Sequence, residues 1–130
     1  MSAENTVTTV KAREKFAKAH GGDQTLPTIT QIAFGNGGHN TSTGEAIPPD
    51  DSDIEVPGEL IKKNINSHSY PINTTLQIIG DVTDNDIGIG DDISSCGIYD
   101  SDGDLVAIKT FEPKTMSVDM KIKVTWNELF

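Results

Sequence analysis

The stretch Gly97–Lys109, GIYDSDGDLVAIK, reads as a β-hairpin. Cys96, Ile98 and Tyr99 lead in, DSDGD turns, and LVAIKTF leads out. Asp-Gly at the turn supplies the positive φ that tight hairpin turns need. Downstream, SVDMKIKVTW alternates without a break. Val118, Met120, Ile122, Val124 and Trp126 share one face, and Asp119, Lys121, Lys123 and Thr125 share the other. That pattern is a half-buried antiparallel strand, which needs neighbours over its apolar face. A further strand is predicted around Thr74 to Val82, with Leu76, Ile78 and Val82 at alternate positions.

Upstream, Thr8 to Ala19 is rich in Lys, Arg, Glu and Ala without Gly or Pro, which predicts a helix. Its apolar face is poorly defined, and Gly21 and Gly22 end it. Ile29, Ile32 and Phe34 form a short β-rich run with a slip in its alternation, the sign of a bend or bulge. Residues 36–58 have turn chemistry and no periodicity, hence a long surface loop. The piece around Glu59 to Lys63 is helical or extended, and DNDIGIGDDIS is another Gly- and Asp-rich connection. These readings predict an α+β fold: an antiparallel sheet with the N-terminal helix packed on one side, and long surface loops. They make residues 1–130 a single domain, with a helix in 1–22, a strand and contact loop in 23–58, and the sheet in 59–130.

Twenty acidic against ten basic side chains give a net charge of −10. A nucleic-acid binder needs cations facing phosphates, and an anionic lipid surface repels such a chain, so neither partner is expected. Aromatics are only 5% of the chain, so its core is thin and neighbouring chains are expected to add stability. Cys96 is the only cysteine, which rules out an internal disulfide and fits a reducing cytoplasm. The start, MSAENTVTTVKAREKF, has no apolar run and predicts no signal peptide. Without one, the sequons at Asn40 and Asn73 carry little weight.

Calcium is the first chemistry to test. Asp100, Asp102 and Asp104 have the one-three-five spacing of a calcium loop. The template then asks for Gly at position six and Glu at twelve, where this chain has Leu105 and Phe111. A solvated turn is the better reading. Asp84, Asp86, Asp91 and Asp92 offer a weaker cation site. His20, His39 and His68 share no metal-ligand spacing with one another or with Cys96. Cys96 lies in an apolar run, as a structural thiol does. FGNGGHN lacks the Lys-Ser/Thr ending of a phosphate loop. No nucleophile, base and orienter assemble, so no enzyme, cofactor or metal is expected.

The ordered set of segments carries more than any one of them. TVKAREKFAKA precedes ITQIAFGNGG, then come GELIKKNI, QIIGDV and CGIYDSDGDLVAIKTFEPK, with a charged alternating strand to close. Together they resemble the N-terminal domain of phage tail-collar fibre proteins, found in contractile-tailed phages and related tail-like bacteriocins. The most specific pieces are Ile32–Gly38 and Gly97–Asp100 with Asp104–Ala107. Ser95 departs from the family, which often has an acidic residue there. The resemblance implies a structural baseplate component of a phage or tail-like particle, made in the host cytoplasm. It would attach or adapt the tail fibre, contact other baseplate and fibre proteins, and form a homo-oligomer, with a trimer favoured. Because such proteins usually continue into a shaft and receptor-binding tip, an end at Phe130 gives the expectation of an attachment domain without the adhesin. The contact residues expected are Phe34, Gly35, Asn36, Gly37, Gly38, His39, Asp84, Asp86 and Asp91. The alternative is a carbohydrate- or cation-binding module at the host surface, weakened by the shortage of aromatics. A third reading is an assembly chaperone absent from the finished particle.

Overall fold

The computed structural model describes residues 5–129. The first four residues of the expected unit 1–22, and Phe130, lie outside the described residues. The chain runs β1 (Thr6–Thr8), α1 (Val10–His20), β2 (Ile29–Gly35), β3 (Glu59–Asn64), β4 (Ser67–Ile72), β5 (Thr75–Thr83), β6 (Asp92–Asp100), β7 (Leu105–Thr115) and β8 (Lys121–Leu129). The strands make two antiparallel sheets, one of five in the order β1-β7-β6-β2-β3 and one of three in the order β4-β5-β8.

The α+β expectation is therefore corrected. Strands hold about half the chain and one short helix, the single one among the described residues, about a tenth, so the architecture is close to a β-sandwich. The hairpin Asp92–Thr115 and the closing strand, expected in one sheet, fall in different ones. β8 begins at Lys121, not at Val118. Val118 is exposed in the turn before it, where Asp119 takes a positive φ of 58°. Alternation along β8 reports one buried face, and Ile122 and Trp126 are indeed buried, but it does not say which sheet that face meets.

One apolar cluster lies between the sheets. It takes Ile32 and Phe34 from β2, Cys96 and Ile98 from β6, Ile78 and Val82 from β5, Ile122 and Trp126 from β8, and Ala12 from α1. A second, smaller cluster joins Ala33, Tyr99, Leu105 and Ile108 to Val56 of the 36–58 loop. The five-stranded sheet is thus covered on both faces, and β6 at its centre is buried over nearly its whole length. That explains why CGIYD reads as a continuous apolar run with no alternation.

Thr9 caps α1: its hydroxyl accepts the Ala12 N–H at 3.2 Å and donates to the Leu105 carbonyl at 2.6 Å. The cap ties the start of the helix to the exit strand of the hairpin. Gly21 closes the other end, its N–H on the Ala17 carbonyl.

Candidate functional site

The 36–58 loop lies strapped across the outer face of the five-stranded sheet. Val56 donates its N–H to the Tyr99 hydroxyl at 3.1 Å, and that hydroxyl donates to Glu59. The Lys62 ammonium sits 3.8 Å over the Tyr99 ring. Burial and the Glu59 carboxylate push the Tyr99 hydroxyl pKa up, so the group stays protonated and keeps donating. Ser95 donates to the Pro57 carbonyl at 2.8 Å, Thr110 to the Ile47 carbonyl at 2.7 Å, and the Val10 N–H to the Asp51 carbonyl at 2.8 Å. Within the loop a small hairpin pairs His39 with Ala46.

The glycines of FGNGG serve this strap. A Cβ on Gly38 would stand 2.1 Å from the Ser94 carbonyl oxygen, and one on Gly35 would stand 2.4 Å from that of Pro57. Backbone passes backbone there, and only glycine leaves room. The Gly38 N–H is held by the Ser94 hydroxyl at 2.9 Å, and the same oxygen lies 2.7 Å from His39 Nδ1.

The nine expected contact residues therefore divide. Asn36, Gly37 and Asp91 are exposed, and His39, Asp84 and Asp86 are half-buried. Gly35 and Gly38 are buried at the crossing. Phe34 is fully buried between the sheets and offers no surface to a partner, a correction to its place in that set. Its neighbours in sequence are loop-like, but its position in β2 points it inward.

The acidic 81–92 segment is held from within. Asp86 accepts from Lys63 at 2.7 Å and from the Thr83 N–H at 2.9 Å. The Lys63 ammonium, then the Thr83 N–H, hold the Asp86 carboxyl below its usual range against the opposing effect of burial. Asp84 accepts the Asp119 N–H at 3.0 Å, Asp91 the Gly88 N–H at 3.1 Å, and Asp92 the Thr115 hydroxyl at 2.6 Å. Each carboxylate serves a different local bond, so the four are not gathered as a cation site.

Among the described residues the one convergent set is Asp100, Asp102 and Asp104, with ligand oxygens within 4.8 Å of one another. A cation already stands among them. Lys15, on α1, places Nζ 2.7 Å from Asp100, 3.1 Å from Asp102 and 2.7 Å from Asp104. Burial disfavours that ammonium, yet the three carboxylates outweigh the burial and raise its pKa. Sequence reasoning missed Lys15. The available signal was the aspartate triple itself, which in a failed calcium loop still asks for a positive charge.

A family model described as phage tail-collar fibre protein, N-terminal, matches residues 1–123. No curated protein matches the chain, and no solved structure does.

Proposed function

The chain belongs to the phage tail-collar fibre family, matching its N-terminal part, and from this we propose that it attaches or adapts a tail fibre to the baseplate of a phage or tail-like particle. The family makes it a structural component of the tail fibre, associated with other tail proteins in the particle. The observation that carries the proposal is the extent of that match, which spans 1–123 and so takes in the whole five-stranded sheet and the three-stranded sheet as far as the start of β8.

In this reading the chain works by interface formation, without turnover, after synthesis in the host cytoplasm. Copies associate with one another, a trimer being favoured by the symmetry of fibres. Many copies in a symmetric particle make individually weak contacts effective. The outer surface of the 36–58 strap is a fitting contact region. It is held rigid by the bonds to Tyr99, Ser95 and Thr110, so little ordering entropy opposes docking. Asn36, Gly37 and His39 stand at its start.

Particles produced without this chain test the proposal. The expected result is tails that assemble but lack fibres, seen by electron microscopy, with fibres restored by the chain supplied in trans. Fully fibred particles in its absence would overturn it, and absence of the chain from purified particles would favour the chaperone reading.

A further inference from the structure

Two stretches of this acidic chain carry no Asp, Glu, Lys or Arg: residues 24–44 and 64–80. The fold brings parts of both to one place. A groove of about 240 Å³ opens between α1 and the edge strand β4. Leu26, Pro27 and Ile29 from the first stretch form one wall, and Ile65, Tyr70 and Leu76 from the second form the other. Phe16 of α1 also lines it, with three charged side chains that are already engaged: Lys15 and Asp100 with each other, and Glu128 with the Trp126 N–H. The cause is geometric. His68 pairs with Ile78, and Ile78 with Trp126, so these residues share the face of the three-stranded sheet that meets the core. That face is covered at Ile78 and Trp126, but β4 runs exposed over its whole length. Tyr70 is 65% exposed, Ile72 61% and Leu26 44%.

We propose that this charge-poor groove between α1 and β4 is the face through which copies of this chain pack on one another. The inference deepens the self-association put forward above and rests on it. Charge selects the occupant. Two copies at −10 each repel wherever their acidic surfaces approach, and they meet at least cost where charges are few and already paired. A basic partner would instead be drawn to the acidic 81–92 segment or the Asp102–Asp104 turn. The contact is made by side chains and not by an added strand, because Pro71 in β4 has no N–H to give along that edge. Burying Tyr70 and Leu26 removes two large, largely apolar side chains from water at each copy.

Sedimentation of the full chain over a range of concentrations tests this. Reversible self-association is expected, strengthened by added salt as the like charges are screened. The double variant Leu26→Asp/Tyr70→Asp should weaken it at least tenfold while keeping the parent's melting profile. Val118→Asp, in the turn before β8 at a residue 68% exposed, should leave it unchanged. Tyr70→Cys should give an interchain disulfide under mild oxidation, Cys96 being fully buried and out of reach. A chain that stays monomeric at every concentration overturns the self-association and this face together. Association that survives Leu26→Asp/Tyr70→Asp, or that Val118→Asp weakens equally, overturns the face alone. A monomer that needs Leu26 and Tyr70 to hold a different tail protein also overturns both, and gives the groove to that protein.

Discussion

Lys15 sits 8% exposed on α1 with three carboxylates around its ammonium group, and Asp100 beneath it is 3% exposed. Removing one partner of a buried pair leaves the other charge uncompensated. Lys15→Met should cost about 3 kcal/mol at neutral pH, the low end for a buried pair because Asp102 and Asp104 remain partly in water. Denaturant titration checks it. The pH dependence has a definite sign. Lys15 holds the Asp104 carboxyl below its ordinary 3.8, so the bond's contribution is present above 3.8 and lost as pH falls through the lower folded value. The Lys15 pKa is raised above 10.5, so its own contribution is whole below 10.5 and is lost only well into alkali. The Lys15→Met penalty should therefore shrink in acid below about pH 3.8. A penalty equal at pH 7 and pH 3 would contradict the assignment. Gly38→Ala is the second change to make at this scale. Its Cβ meets a backbone oxygen at 2.1 Å, which no rotamer relieves. About 2 kcal/mol or more should be lost, with faster amide exchange at Gly38.

Among the elements, α1 depends on its cap more than on its amphipathic face. Only Ala12 and Lys15 are buried along it. Thr9 satisfies the Ala12 N–H and at the same time bonds to β7, so Thr9→Ala should cost about 1–2 kcal/mol and Thr9→Ser much less. Thermal melts of the two variants separate the hydroxyl from the methyl. The helix was legible from Thr8–Ala19, one residue short of its end and with its start two residues early, because propensity and the Gly21-Gly22 stop act locally. β1 was not legible, since three residues preceding a helix show no period of their own. The 36–58 strap was legible as a loop from its turn residues. Its bonds to Tyr99, Ser95 and Thr110 were not, because each partner is 38 or more positions away.

At the scale of the whole molecule, a core shared between the sheets predicts that they unfold as one cooperative unit. Calorimetry should then give a single transition, and two resolved transitions would part the sheets. Cys96 provides an independent reading. It is wholly buried between the sheets, and burial pushes its thiol up to about 12 despite the nearby Lys109. Thiol labelling should follow global unfolding at every denaturant concentration. Labelling much faster than unfolding would mean that the sheets separate locally. Calcium is informative here too: with Lys15 in the Asp100–Asp104 turn, millimolar calcium should leave the melting temperature of the parent unchanged.

Composition and local pattern determined a good deal by themselves. The Asp-Gly turn, the alternation of Ile122 to Trp126 and the order of segments Ile32–Gly38 and Gly97–Ala107 are all local in the chain. They identify strands and a turn, because backbone preference and one-sided burial act over a few residues, and the order of segments carries the resemblance to the tail-collar fibre family. The tertiary structure decided three further things. It divided the strands between two sheets, set Lys15 against an aspartate 85 positions away, and brought residues 24–44 and 64–80 together around one groove. Each depends on which distant segments become neighbours. Periodicity marks the face that turns inward, but packing of the whole chain chooses what that face meets.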